Sequence, residues 1–457
     1  MVGGGVTGLA AAHALGRGGG IAVTLLERDD RVGGKVLTEH RDGVTFEAGA
    51  DAFVAREAAI LQLCDDLRLR SDLIAPDIFG AHIWTRDGMK RLPSDWAFGL
   101  PTTVSGLMGN DLVPLRARLR ALGDLALPGR VAGEDISVGE LVRRRFGGEL
   151  LEQVVDPLLA GSRAGTADDI SLAAAMPPLD AVARSSASIM RGLGAARREG
   201  KLSQGPPPFL GLPGGMQDFV DRLTESLQPA TVRTGTEARH INPSGTGYEI
   251  ELGNGEMVPA DAVIVATPSF VAAELLEAHN PEAARHLYRI QYASAAVAIL
   301  VYDGGSESLP ASGSGFLVSS RDHRVLSACT WYSKKWAGTA PGDGRLVLRC
   351  FVGRAGREAS LALDDEDLVG LMDAEVREAI GLEAPLVTWK VFRWDRGLPH
   401  YRVGHLRLLE QVDTAMASQP GIALAGAAYR GSGLPDCVRQ GEEAAVRAIN
   451  FVSSSPR

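Results

Sequence analysis

The chain begins Met1-Val2-Gly3-Gly4-Gly5-Val6-Thr7-Gly8-Leu9-Ala10-Ala11-Ala12, a glycine-rich turn that leads into an apolar helix. Gly3, Gly5 and Gly8 have the spacing of a dinucleotide-binding turn, which needs a tight bend, bare backbone against a pyrophosphate, and close packing of helix on strand. The start of the helix offers unpaired N–H groups and the positive end of a dipole to the phosphates. The stretch therefore predicts a Rossmann-like nucleotide-binding fold.

An acidic residue follows at the position that such folds use for the ribose. The apolar run 21–26 predicts a second strand, and it ends at Glu27, nineteen residues after Gly8. A carboxylate here accepts hydrogen bonds from the ribose hydroxyls of NAD or FAD. The glycine spacing alone is weak evidence, but turn, helix, strand and acid in this order make a strong prediction.

The first strand is shorter than the motif requires. Only Met1 and Val2 precede Gly3, whereas a buried strand of about five or six residues is usual. Two interpretations stay open: a start codon assigned too late or a shortened chain, which we favour, and a protein that has lost its central strand. A lost strand leaves ladder groups of both neighbours unpaired, so we expect low stability and weak cofactor binding, both improved by an upstream apolar segment.

Composition restricts the class of protein. The 457 residues suffice for two or three domains, and 45% apolar with 23% charged residues is typical of a globular protein. The net charge of −9 argues against a nucleic-acid partner, and no apolar run approaches the ~18 residues of a membrane helix. Four scattered cysteines without C-x-x-C, and histidines without a ligand pair, predict no disulfide framework and no metal site. We expect a cytoplasmic protein without a signal peptide.

Periodicity predicts an α/β protein of three domains. Strand patterns dominate both ends of the chain, whereas residues 93–200 are mainly helical. Within that region, Arg143-Arg144-Arg145 is consistent with an anionic-ligand or membrane patch, although a solvated helix face is the commoner meaning. The predicted domains are a discontinuous Rossmann-like nucleotide-binding domain (1–55, 205–268 and 405–457, with its first strand truncated), a mixed-sheet substrate domain (56–92 and 269–404) and an inserted helical domain (93–204).

Two further glycine-rich turns predict contacts with the cofactor. Gly33-Gly34, between Arg31 and Lys35, lets backbone pass close to an anion, with Arg31 and Lys35 available as counter-charge. Near the end of the chain, Gly431-Ser432-Gly433 enters the closing helix and presents N–H dipoles, as beside a flavin ring.

The order of these elements resembles that of the flavin amine oxidase superfamily, and within it the bacterial porphyrinogen oxidases. The resemblance extends from Gly3 to the closing helix and depends on several segments in register. These are Val155-Asp156-Pro157-Leu158-Leu159-Ala160-Gly161 with Ala164-Gly165 and Leu172, Phe209 to Met216, Gly313 to Val318, Arg393-Trp394 with Pro399 to His405, and Gly431 to Gly441. Ala328 to Trp336 and Leu348 to Gly356 are similar to the Gram-positive branch that oxidises coproporphyrinogen III. That branch tends to carry a lysine where this chain has Glu57.

The resemblance implies non-covalent FAD and a flavin that itself carries the chemistry, so no catalytic side chain is predicted. The implied cofactor-binding residues are Gly3, Gly5, Gly8, Glu27, Arg28, Gly33, Gly34, Lys35, Gly49, Ala50, Ala238, Ala266, Thr267, Gly426, Gly433 and Asp436. An acidic protein needs a local basic patch for a substrate with four carboxylates. The candidate substrate-binding residues are Phe53, Arg56, Phe316, Leu317, Lys334 and Lys335, although each has an ordinary packing or surface-charge alternative.

The implied reaction is oxygen-dependent oxidation of coproporphyrinogen III to coproporphyrin III in haem biosynthesis, with release of hydrogen peroxide. Its partners are the porphyrinogen and molecular oxygen, with at most peripheral membrane contact and transient contact with another haem-pathway enzyme left open. The alternative substrate is protoporphyrinogen IX. An amine oxidase is disfavoured because Ala427-Ala428-Tyr429-Arg430 lacks the aromatic and glycine pattern of that family. A non-catalytic flavoprotein is suggested only by the short first strand.

Overall fold

The computed structural model describes residues 1–17, 20–55, 57–127, 129–131, 133–163, 165–202, 209–227, 230–245, 247–336 and 338–454. The strands are β1 Thr24–Leu26, β2 Thr38–Arg41, β3 Val44–Glu47, β4 Phe53–Val54, β5 His82–Thr85, β6 Gly88–Arg91, β7 Phe209–Leu210, β8 Thr231–Arg233, β9 Ala238–Ser244, β10 Gly247–Leu252, β11 Met257–Ala260, β12 Val263–Val265, β13 Gln291–Tyr302, β14 Gly315–Val318, β15 Leu326–Thr330, β16 Leu346–Val352, β17 Leu386–His400 and β18 Ile422–Leu424. The α-helices are α1 Val6–Arg17, α2 Ala58–Asp66, α3 Val104–Met108, α4 Leu115–Ala121, α5 Val138–Arg145, α6 Gly148–Leu150, α7 Asp156–Arg163, α8 Leu172–Ala175, α9 Pro177–Ser185, α10 Ile189–Arg198, α11 Gln217–Glu225, α12 Ser269–Leu276, α13 Pro281–Tyr288, α14 Tyr332–Lys335, α15 Asp365–Ile380, α16 His405–Met416 and α17 Leu434–Ser454. None of these described helices is long and apolar enough to cross a lipid bilayer.

A parallel arrangement of short strands forms the nucleotide-binding core. β1 pairs with β8, and β12 pairs with β18. Val2 lies between the two pairs and bridges to both β1 and β12. Gly3 N donates to Leu26 O at 2.9 Å, and Ala266 N donates to Val2 O at 2.8 Å. Met1 and Val2 thus lie where the central strand is expected, and the ladder groups beside them are paired, unlike the unpaired neighbours expected from the sequence.

On one side of this core, α1 and α17 pack against each other at very short distance. α1 is rich in alanine, and its buried face packs on α17. A Cβ at Gly441 of α17 would lie 2.5 Å from Thr7 O of α1, so only glycine permits this approach. α11 packs on the same buried cluster. The first helix, which carries the glycine turn, is thereby held by the end of the chain.

A seven-stranded mixed sheet forms the second large element. Its order is β17-β13-β16-β15-β14-β5-β6, with β14 and β5 parallel and the other neighbours antiparallel. β13 lies between β16 and β17, and its second part, residues 296–302, is buried. The α/β class and the mixed sheet predicted from the sequence are confirmed.

Alternation along the strands divides this sheet into two faces. Phe316 points to the face that α15 covers, where the buried cluster contains mostly side chains of β13 to β16. The opposite face packs partly against β2 and β3 and partly against the helical layer. Between these two covers, Leu317, Thr330, Phe351 and Trp394 keep accessible surface. We call these four residues the open strip.

The helical layer has its own buried cluster, formed mainly by α3 to α10. One member of the predicted arginine run is an internal charge. Arg145 Nε lies 2.7 Å from Asp124 Oδ1, and both side chains are almost inaccessible. The same carboxylate accepts from Ser188 Oγ and from two backbone N–H groups of α10. For Arg145 the solvated-face interpretation is therefore wrong, whereas Arg143 is half-exposed beside Asp168.

Packing differs from the predicted domain boundaries in two places. α2, which was placed in the substrate domain, packs into the cluster of α1, α11 and α17. α12 and α13 likewise pack with β9, β10 and β12 rather than on the seven-stranded sheet. The packing partner of each of these three helices cannot be read from local periodicity. The rest of the domain division stays a prediction.

Candidate functional site

The glycine turn has two closed positions and one open position. A Cβ at Gly3, where φ is +101°, would lie 2.8 Å from Ala266 O, and a Cβ at Gly8 would lie 2.0 Å from Gly3 O. At Gly5 no described heavy atom lies within 4 Å of the Cβ position. Gly3 and Gly8 are thus required by internal packing, and Gly5 borders free space at the N-terminus of α1, where backbone N–H groups favour an anion.

Glu27 lies at the end of β1, directly behind this turn. Its Oε2 accepts from Gly4 N at 2.6 Å, and its Oε1 accepts from Asp29 N at 2.9 Å. A carboxylate offers about four acceptor sites, so sites remain for ribose hydroxyls. Arg28 is exposed and its Nε lies 3.3 Å from Asp29 Oδ1. Glu27 therefore also fixes the glycine turn, a role that the motif alone did not reveal.

The second glycine pair packs against the first turn. Gly33 N donates to Gly4 O at 2.8 Å, and a Cβ at Gly34 would lie 3.3 Å from Gly5 Cα. Arg31 donates to the carbonyl groups of Val32, Gly34 and Val36. Its expected role as counter-charge to an anion is therefore corrected, because its guanidinium closes this loop.

Lys35 follows the same loop and is exposed. Its Nζ donates to Gly397 O at 2.5 Å. Surrounding protein lowers its pKa from the ordinary lysine value, although the side chain still has accessible surface. A partly desolvated ammonium group of this kind suits an anionic or electron-rich ligand.

The segment after β3 is held from the seven-stranded sheet. Arg349 Nε donates to Glu47 O at 3.0 Å and NH2 donates to Gly49 O at 2.5 Å, while Trp394 Nε1 donates to Ala48 O at 2.9 Å. A Cβ at Gly49 would lie only 1.8 Å from Lys35 O. The predicted cofactor residues Gly49 and Ala50 are therefore fixed between the Lys35 loop and the sheet.

Buried carboxyl groups surround this segment. The Glu47 side chain is inaccessible, and burial raises its pKa to about 7. Burial also acts to raise the pKa of Asp51, but Lys335 and Arg349 outweigh it and hold that pKa well below its usual range. Asp51 Oδ2 lies 2.6 Å from Lys335 Nζ and 3.3 Å from Arg349 NH1.

The C-terminal glycine turn is braced by the side chain of Tyr401, which follows β17, and by two side chains of α17. Tyr401 OH donates to Ala427 O at 2.6 Å and accepts from Gly431 N at 3.0 Å. Gln440 Nε2 donates to Gly431 O at 3.0 Å. Gly426 has φ of +129°, and Gly433 N donates to Asp436 Oδ2 at 3.3 Å.

The remaining predicted cofactor residues lie around the same parallel core. Ala266 and Thr267 follow β12 and face Gly3. Ala238 begins β9, two residues after Thr236, whose N donates to Glu27 O at 2.7 Å. The predicted cofactor set is thus distributed along the carboxyl ends of β1, β12 and β18 and the segment after β3.

The predicted aromatic substrate contacts need correction. Phe53 is 2% exposed within the cluster of α1 and α11, and Phe316 is 1% exposed in edge-to-face contact with Trp84. Neither offers surface to a macrocycle. Leu317 has the opposite direction on β14, because neighbours along a strand alternate, and it lies in the open strip.

The predicted basic patch is mostly engaged in internal contacts. Lys335 pairs with Asp51, as described above. Lys334 Nζ donates to Pro310 O at 2.9 Å, which leaves two of its donor hydrogens. Arg56 lies outside the described residues. Glu57 precedes α2 and makes no side-chain capping bond there.

Sequence reasoning missed Arg349, Trp394, Asp51 and Tyr401 as members of the site. Trp394 and Tyr401 lie in segments that carried the resemblance, but no role was assigned to them. Arg349 had a usable signal, since it is the single charge in the apolar strand Leu346–Val352. Within the described residues, no three His, Cys, Asp or Glu side chains group as metal ligands.

A dinucleotide fits the residues present. The open position at Gly5, the carboxylate at Glu27 and the N-terminus of α1 match a pyrophosphate and a ribose, and Gly49 and Gly426 lie beside them, against Lys35 and Thr7.

Comparisons with known proteins agree with this arrangement. Residues 6–449 match the model of the family described as flavin containing amine oxidoreductase. The chain is 32% identical to the coproporphyrinogen III oxidase of Bacillus subtilis (strain 168), over 99% of this chain and 98% of that protein. It is 27% identical to the enzyme of the same name from Staphylococcus aureus, over 98% of both. A solved structure titled putative protoporphyrinogen oxidase, from Exiguobacterium sp. 255-15, superposes with a TM-score of 0.87 at 32% identity, over 99% of this chain and 98% of that one.

Proposed function

Because the chain belongs to the flavin-containing amine oxidoreductase family and has FAD as its cofactor, we propose that it oxidises coproporphyrinogen III to coproporphyrin III. The observation that carries this proposal is the agreement with coproporphyrinogen III oxidases along almost the entire chain, not only along the nucleotide-binding segments. The product and reaction place the protein in haem biosynthesis.

The chain's own residues supply binding and orientation. The N-terminus of α1 and the free space at Gly5 would hold the pyrophosphate, and Glu27 would accept from the ribose. Gly49, Ala50 and the turn from Gly426 to Gly433 would border the ring system. When bound, FAD supplies the acceptor for successive two-electron oxidations, with molecular oxygen as the final oxidant and hydrogen peroxide as its product.

The open strip suits the rest of the reaction. Its members are largely apolar and lie between the segment after β3 and the helical layer, so a macrocycle placed there would be shielded from water. Gaining aromaticity drives the oxidation, and a strong catalytic base is therefore unnecessary. Positioning is the main demand on the protein. We propose that Leu317 contacts the macrocycle and that Lys334 and Arg56 contribute to propionate binding, whereas Lys335 is held by Asp51.

A second substrate is favoured by one observation. The solved structure with the TM-score of 0.87 carries the name putative protoporphyrinogen oxidase. Protoporphyrinogen IX undergoes the same oxidation but has two carboxylates fewer. The two substrates therefore differ in what they require from the basic residues at the rim of the cleft.

Turnover of both porphyrinogens, measured side by side by porphyrin fluorescence with FAD-loaded protein, tests the proposal. We expect faster oxidation of coproporphyrinogen III, oxygen uptake, and peroxide formation. Gly5→Val is the matched control, since it removes the cofactor space without a clash in the described fold. If protoporphyrinogen IX is oxidised about ten times faster than coproporphyrinogen III, protoporphyrinogen IX is the substrate. If FAD-loaded protein oxidises neither compound, the proposed reaction is contradicted.

A further inference from the structure

Arg349 is a buried charge that crosses between two parts of the molecule. It lies in the middle of β16, is 2% exposed, and is the second largest of the fully buried side chains described. Register places it opposite Thr330 and Ile299, on the face that packs against β3. An isolated buried charge is costly, so its partners indicate why it is there.

Among the described residues, its hydrogen-bond and ion-pair partners all belong to one short segment, while the rings of Tyr332 and Phe351 lie with their centroids 5.8 and 5.1 Å from its guanidinium carbon. The guanidinium donates to Glu47 O and Gly49 O and lies 3.3 Å from the Asp51 carboxylate. Only arginine presents several donors in a rigid planar fork, and a lysine ammonium in the same place would reach fewer of these acceptors. The contact is thus directed at the course of the backbone as well as at a charge.

The Asp51 carboxylate completes the arrangement. It also accepts from Lys335 Nζ at 2.6 Å and Trp336 Nε1 at 3.2 Å. Because Lys335 remains beside it, removing the Arg349 guanidinium would not leave Asp51 without a cation. The backbone oxygens of Glu47 and Gly49 have no such second donor among the hydrogen bonds described.

The opposite side of the segment borders the nucleotide site. Gly49 packs directly on the backbone of Lys35, which continues the Gly33-Gly34 turn against Gly5. A shift of Gly49 away from the sheet would therefore be transmitted to the predicted cofactor residues Gly49, Ala50 and Lys35.

We propose that Arg349 is a positioning residue, which fixes the segment from Glu47 to Asp51 against the FAD site and keeps a positive charge on that side of the cofactor. The inference rests on FAD lying along this segment, as in the function proposed above. It assigns to a residue of the seven-stranded sheet a role in cofactor binding and in setting the reduction potential of the flavin.

Two variants separate geometry from charge. Arg349→Met removes both, whereas Arg349→Lys keeps the charge near Asp51 and loses the fork. Arg324→Met is the matched control. Arg324 pairs with Glu378 through two contacts, at 2.7 and 2.6 Å, and stacks on Trp84, whose side chain faces the α15 side of the sheet. Arg324 is 20% exposed, and its loss tests whether the removal of any partly buried arginine has the same effect.

The readouts need no substrate. For Arg349→Met we expect the FAD dissociation constant of the reconstituted apoprotein to rise roughly tenfold, the effect of about 1.4 kcal/mol of lost binding free energy. We also expect its flavin reduction potential to fall, because a positive charge that favours the reduced, electron-rich flavin is gone. Arg349→Lys should keep the potential near that of the wild type and bind FAD with intermediate affinity. Arg324→Met should change neither quantity.

The proposal is overturned if Arg349→Met binds FAD with unchanged affinity and an unchanged potential, even where its melting temperature falls. If the methionine variant does not fold, Arg349→Lys decides, and wild-type FAD affinity in that variant has the same meaning. Because both quantities are measured without porphyrinogen, they are independent of whether coproporphyrinogen III is the substrate.

Discussion

Glu47→Gln should stabilise the protein above neutral pH. The Glu47 carboxyl is inaccessible, its Oε2 accepts from Thr38 Oγ1 at 2.9 Å and from Met216 N at 3.0 Å, and its Oε1 has no hydrogen-bond partner among the described residues. Burial raises its pKa from 4.5 to about 7, although Arg349 acts in the opposite direction. An ionised Glu47 therefore lowers the free energy of unfolding, and a neutral glutamine does not.

The magnitude follows from the difference between the two pKa values. Between pH 4.5 and 7 the folded protein holds a proton that the unfolded chain has released, so stability falls as the pH rises. The shift from 4.5 to about 7, at about 1.4 kcal/mol for each pH unit, amounts to a loss of roughly 3 kcal/mol. The loss is absent below pH 4.5 and complete above pH 7, and the glutamine variant should escape it.

The difference between variant and wild type is the quantity to measure. His82, His400 and His405 have lowered pKa values because of burial, so acidification destabilises the protein through them in both variants. Subtracting the thermal midpoints of wild type from those of Glu47→Gln at each pH removes that contribution. The exposed Glu307, changed to Gln, is the matched control. A difference that stays flat from pH 5 to 8, or a variant less stable than wild type at pH 8, refutes the reasoning.

Three further predictions concern the cofactor. Gly5→Val should abolish FAD binding and leave the melting temperature of the apoprotein nearly unchanged, whereas Gly8→Val should destabilise the apoprotein as well, because its side chain meets the backbone of the turn. Calorimetry with and without FAD separates the two variants. Equal melting temperatures of the two apoproteins would contradict this prediction. Glu27→Ala should weaken FAD binding by about 1.5–3 kcal/mol, since a hydrogen bond to a charged acceptor is lost, and full occupancy at dilute flavin would argue against this. Acid precipitation should release all flavin, because burial raises the pKa of the Cys437 thiol and keeps it unreactive; yellow colour retained in the pellet would disprove non-covalent binding.

Local spacing was sufficient to predict the parts of the fold that depend on few residues. The glycine turn and the acid at Glu27 each specify a backbone shape within a short window, and the structure contains the corresponding helix and strand end. The α/β class followed from the same local patterns. How α2, α12 and α13 pack did not, because an amphipathic helix does not specify which apolar surface covers it.

The candidate substrate-binding residues were harder to predict for a related reason. Alternation predicts that Phe316 and Leu317 point in opposite directions, but which of the two faces a helix and which faces a cleft depends on elements far away in sequence. α15 covers the Phe316 side, so the larger and more attractive residue is in the core. The same dependence on distant elements explains Lys335, whose partner Asp51 lies 284 residues earlier.

Arg349 shows where the sequence still held an unused signal. A charged residue within Leu346–Val352, a strand otherwise apolar, contradicts its local pattern, and such contradictions concentrate at functional or constrained positions. Periodicity predicts that the side chain is buried and electrostatics predicts that it is paired, but neither identifies the partner. The partner is a stretch of backbone beside the nucleotide site, where the carbonyl groups of Glu47 and Gly49 accept both bonds. A buried arginine whose partners include main-chain oxygens of a predicted cofactor segment is therefore a criterion for positioning residues, and it requires the strand register that only the fold supplies.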